Sequence, residues 1–130
     1  MSMEQLTKSQ VTECIKNIAT YIKDKYNFDY RIYDMDASFN YNDIVEKHVF
    51  LKTISKEDDL AFRISIRMWI SDSYGGLYSP KTPFSIEYGI SKNSCNKFIK
   101  ENTRNYSNLT ENDIDNIIDE MNMFLKEIKY

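Results

Sequence analysis

The chain has 130 residues, 42% hydrophobic and 28% charged, with a formal net charge of −3 and a sequence pI near 5.2. That length suits a single domain, 1–130, with enough buried surface to fold without metal or disulfide staples. Lys and Arg are spread evenly, nine against eleven acids in residues 1–65 and eight against nine in residues 66–130, so no basic stripe calls for duplex nucleic acid.

The first residues, Met1 to Leu6, lack a basic region followed by an apolar one. No apolar run approaches the roughly 20 residues that span a bilayer. The expectation is a cytoplasmic protein with no membrane contact.

A helix is predicted over 8–26. Thr7 is a natural N-cap with Gln10 as capping-box partner, and Leu6 and Val11 form a hydrophobic staple. Val11, Cys14, Ile15, Ile18, Ala19, Ile22 and Tyr26 then recur at helical spacing. A weaker strand is expected over 30–35. Asp34, Asp36, Ser38, Asn40 and Asn42 follow with oxygen ligands at alternate positions, as Ca²⁺ loops have. Phe39 stands where that loop needs glycine and Val45 where it needs a bidentate acid, so the segment reads as a polar connection.

The next strand is predicted over 48–55, joined through the polar turn of residues 56–59 to a strand over 60–71. On the latter, Phe62, Ile64, Ile66, Met68 and Ile70 point one way, and Ala61, Arg63, Ser65, Arg67, Trp69 and Ser71 the other. Val49 and Leu51 are expected to join the core face, leaving Phe50 and Lys52 outward. Residues 72–83 form a long loop with Tyr74, Tyr78 and two glycines, and a fourth strand covers 84–90. Residues 91–103 read as a short helix carrying Cys95, Phe98 and Ile99. The last helix opens on Leu109, Thr110, Asp113 and Ile114, which repeat the staple and capping box, and continues through Ile117, Ile118, Met121, Leu125 and Ile128.

These elements predict an α+β fold, ordered α-β-β-β-β-α-α. A four-stranded antiparallel meander is packed on one face by the N-terminal and C-terminal helices as a two-layer sandwich.

No reaction is legible. His48, the one histidine, reads as a surface or boundary strand residue without a nucleophile beside it. Cys14 and Cys95 read as free, buried helix thiols, and two cysteines with one histidine do not fill a structural zinc site. The glycines of residues 73–76 lack phosphate-loop spacing. Glu87 is placed to pair across the sheet with Arg63 or Arg67. No cofactor, metal or catalytic residue is expected.

Arg63, Arg67 and Trp69 on the strand, Tyr74 and Tyr78 in the loop, and an outward Phe50 together suggest a partner-binding face. Trp, Tyr and Arg dominate interface hot spots. An alternative surface is the acidic helix face of Asp115 and Asp119. The expected function is a protein-binding module, best a stoichiometric inhibitor of the toxin-neutralising immunity or phage anti-defence type. The Asn, Ile, Lys, Asp and Tyr enrichment suits a bacterial or phage origin. A chaperone for an extended client, a small enzyme and a single-stranded nucleic-acid binder are the alternatives.

Overall fold

The computed structural model describes residues 8–33, 44–69, 84–95 and 97–128. Its elements are α1 (Lys8–Tyr26), β1 (Asp29–Tyr33), β2 (Ile44–Ser55), β3 (Leu60–Trp69), β4 (Phe84–Lys92), β5 (Phe98–Tyr106) and α2 (Glu111–Glu127). The strands form one sheet in the order β1-β2-β3-β4-β5, with every neighbouring pair antiparallel. The fold is thus α+β with a helix at each end, as the periodicities predict. The Thr7 cap, the Asp34–Asn42 segment and the 72–83 loop lie outside the described residues.

The sheet has five strands, not four, and residues 91–103 form no helix. Cys95, Phe98 and Ile99 have helix-like spacing, yet β5 pairs with β4 from Phe98 to Tyr106, with one irregularity in register at Ile99. An edge strand with exposed or half-buried side chains throughout carries no clear two-residue alternation. Cys95 consequently sits exposed in the bend before β5, while Cys14 is half-buried; both are free thiols.

Local chemistry fixes the junctions. Asn27 ends α1 in the left-handed region at φ 57°, and its N–H donates to the Lys23 carbonyl at 3.0 Å. Asp59, at φ 56°, closes the β2–β3 turn. Its side chain accepts from the Ser94 N–H at 2.8 Å and the Ser94 hydroxyl at 2.5 Å, tying this turn to the one between β4 and β5. At the start of α2, the Thr110 hydroxyl accepts from the Asp113 N–H at 3.2 Å, and Asp113 accepts from the Thr110 N–H at 2.9 Å. The predicted capping box is therefore present.

Register defines two faces. On one, Tyr30, Phe50, Ile64, Tyr88 and Asn102 form a row across the sheet, flanked by the row Ile32, His48, Ile66, Ile86 and Arg104. Both helices cover this side, α1 over β1 and β2 and α2 over β4. Ile15, Ala19 and Ile22 of α1 and Ile114, Ile117, Ile118 and Met121 of α2 join Ile64, Ile66, Met68, Ile86 and Ile90 in one core. Burial of this kind stabilises by about 1.5–3 kcal/mol for each large apolar side chain.

Polar clips close the edges of that core. Asp115 of α2 accepts from the Tyr21 hydroxyl at 2.5 Å, from Tyr26, and from the Lys25 ammonium at 3.1 Å. Across the sheet, Glu120 accepts from the Tyr88 hydroxyl and from the Arg104 guanidinium at 3.0 Å.

Two expectations about β2 are corrected here. Phe50 is not outward: it is 0% exposed, opposite Ile64 on the helix-covered face. His48 shares that face, also 0% exposed, and stacks on Phe50 with ring centroids 6.0 Å apart. Val49 and Leu51 take the other face. The central strands are buried on both sides, with Val49 and Ala61 sealed opposite the helices, so apolar content alone does not choose β2's phase. The pairing register chooses it.

Candidate functional site

The helix-free face is built from three rows. Its middle row runs Arg31, Val49, Ser65, Glu87 and Thr103. One flanking row runs Lys47, Arg67, Ser85 and Asn105, and the other Asp29, Leu51, Arg63, Gly89 and Glu101. Strand alternation therefore puts Lys47, Arg63 and Arg67 together on the central strands, with Glu87 on the neighbouring strand β4.

Lys47 and Arg67 stand directly opposite each other. Like charges so placed destabilise a sheet pair. Burial, then the Arg67 guanidinium, holds the Lys47 ammonium below its ordinary pKa; Glu87 opposes this and Arg63 adds to it. Neither Lys47 nor Arg67 is in any of the ion pairs among the described residues, which join Lys25 to Asp115, Lys100 to Glu127 and Arg104 to Glu120. Arg63 is buried, with its guanidinium 5.7 Å from the centre of the Phe98 ring. Glu87 lies opposite Ser65, between the two arginines of β3. The expected Glu87 pairing with Arg63 or Arg67 is thus one of proximity across the sheet.

Beside this cluster a cleft of about 600 Å³ opens along β1 and β2, lined by Asp29, Arg31, Val49, Leu51 and Thr53. Besides Glu87, the face carries one acid on each outer strand, Asp29 on β1 and Glu101 on β5.

Of the residues expected at a partner face, Arg63 and Arg67 fall on this surface. Trp69 ends β3, paired with Ile44. Tyr74 and Tyr78 lie outside the described residues, and Phe50 belongs to the core. Lys47 and Ser65 are additions. Lys47 was missed because β2 begins at Ile44, before the predicted start at 48. The signal was there in the basic residue two before Val49, readable only once the register is known.

Asp115 and Asp119 do not make one acidic surface. Asp115 is engaged between the helices, where the Tyr21 and Tyr26 hydroxyls hold its carboxyl down to about 2. Asp119 is exposed and lines a separate open hollow with Arg104, Glu120 and Glu127.

Among the described residues no group of three His, Cys, Asp or Glu side chains is placed to hold a metal ion. No helix of the described residues is long and apolar enough to cross a membrane. Burial pushes the Cys14 thiol up, away from nucleophilic character. No protein-family model, curated protein or solved structure matches this chain.

Proposed function

We propose that this chain is a cytoplasmic protein-binding module, a stoichiometric inhibitor of the kind that neutralises a toxin or a host defence protein. It acts through the helix-free sheet face on an acidic patch of its target. The observation that carries this reading is the Lys47–Arg67 pair, two cations directly opposed on central strands. Folding alone does not call for that arrangement, since uncharged side chains at either position would relieve the repulsion. An anionic partner turns the cost into complementarity.

The rest of the face fits this use. The cleft beside the cluster supplies concavity, and central strands supply rigidity. Asp29 and Glu101 at the rim favour a protein patch of mixed charge over the uniform backbone of a nucleic acid. One rigid face on a domain of this size suits one-to-one blocking of a target site.

The test is capture from the source cell by the wild-type chain and by Lys47→Glu/Arg67→Glu, each checked for retained fold. The target should bind the wild type at a one-to-one ratio. Binding to the double variant should be at least tenfold weaker, about 1.4 kcal/mol. Equal capture by both, or loss only on reversal of Asp119, would move the working surface to the α2 side.

A further inference from the structure

Resting on the binding-face reading, we propose that Lys47, Ser65 and Arg67 form a seat for a single oxyanion, a carboxylate side chain of the partner. Ser65 is only 5% exposed, and its hydroxyl has no hydrogen-bond partner. Buried hydroxyls are ordinarily satisfied, because leaving one without a partner forfeits its hydration. This one lies two residues from Arg67 along β3 and diagonal to Lys47 across the β2–β3 pair. Same-face neighbours so arranged stand roughly 7–8 Å apart or less, a gap that long basic side chains bridge to one anion. A hydroxyl donor beside a guanidinium and an ammonium is a donor set for a carboxylate, which accepts only.

The surroundings limit the ligand's size. Arg63 flanks the seat over the Phe98 ring, Glu87 stands opposite Ser65, and Asp29 and Glu101 lie on the outer strands. The cations of the central strands are thus ringed by carboxylates, with Arg31 of β1 the one basic residue of the face's outer strands. That favours one anionic group inserted from above over an extended polyanion laid across it.

Ser91 provides an internal control. Its hydroxyl is likewise buried and unpartnered, but it stands opposite Ala61 and Phe98, and the one cation diagonal to it, Arg63, is held over the Phe98 ring.

The experiment titrates the full chain with glutarate, with inorganic phosphate and with chloride at matched ionic strength. It follows melting temperature and the NMR signals of Ser65 and the Arg67 guanidinium. Chloride relieves the Lys47–Arg67 repulsion by screening alone, so the informative effect is saturation beyond chloride. Glutarate should saturate those signals and raise the melting temperature. Ser65→Ala should weaken it about three- to tenfold, the loss of one hydrogen bond, and Arg67→Gln by roughly tenfold or more. Ser91→Ala should leave it unchanged. Three results would overturn the seat: glutarate indistinguishable from chloride, saturation by phosphate alone, or equal weakening by Ser91→Ala. None of them touches the capture experiment, so the seat and the binding face fail separately.

Discussion

The two faces of the sheet solve different problems with the same five strands. On the helix-covered face, rows of Ile, Phe, Met and Tyr meet two amphipathic helices, and its edge polar groups are closed by Asp115 and Glu120. On the other face the central strands are almost as well buried, yet they hold Arg63, Ser65 and the opposed Lys47 and Arg67. The first face is what a stable fold requires. The second keeps features that a fold alone would discard, and such departures from local consistency concentrate where proteins work.

That contrast can be broken most forcefully at Ile66, fully buried between His48 and Ile86. Ile66→Ala should cost about 2–5 kcal/mol in denaturant unfolding, through the cavity it leaves. A loss below about 1 kcal/mol would mean that the covered face is not the main source of stability.

Gly89 tests how β4 and β5 are joined. A Cβ there would overlap the Lys100 carbonyl oxygen and crowd the Glu101 Cα, and this backbone cannot rotate aside. Gly89→Ala is expected to destabilise by about 1–3 kcal/mol. A neutral result would show that β5 can move off the sheet without harm.

Asp115 sharpens the comparison through pH. Its carboxyl is held down to about 2 by Tyr21 and Tyr26, against an unfolded value of about 4. Its contribution is therefore complete above pH 4 and disappears as the pH falls through 2. Asp115→Asn should melt lower than wild type at neutral pH, and the two melting temperatures should converge between about pH 4 and 2. Parallel acid profiles would exclude the clasp as their cause.

The smallest expected effect has the opposite sign. Lys47→Gln removes one of two opposed cations and should leave stability unchanged or raise it by up to about 1 kcal/mol, while weakening partner binding. A clear loss of stability would make the cluster a structural feature and erase the distinction between the faces.

Sequence patterns reached the first face well and the second poorly, for physical reasons. α1 was legible from its apolar stripe, α2 from the Thr110–Asp113 box, and the core side of β3 from strict alternation. The faces of Phe50 and Val49 are not legible in the sequence because a central strand is apolar on both sides, and only pairing fixes its phase. β5 has the spacing of a helix in the sequence because hydrogen bonding to β4 holds it, with little side-chain burial of its own. The Lys47–Ser65–Arg67 grouping spans two strands, so no local window contains it.

The strictly sequential strand order has a consequence for how the molecule assembles. Each strand pairs with its neighbour in the chain, so the sheet grows by successive closures between adjacent strands, each costing less loop entropy than a junction of the chain's ends. The helix clasp is different. Tyr21 and Tyr26 reach Asp115 across 94 and 89 residues, and closing so long a loop costs more entropy than any hairpin. The sheet removes that cost in advance by bringing its ends within reach. The clasp therefore forms late, and variants in it should speed unfolding while leaving the refolding rate almost untouched.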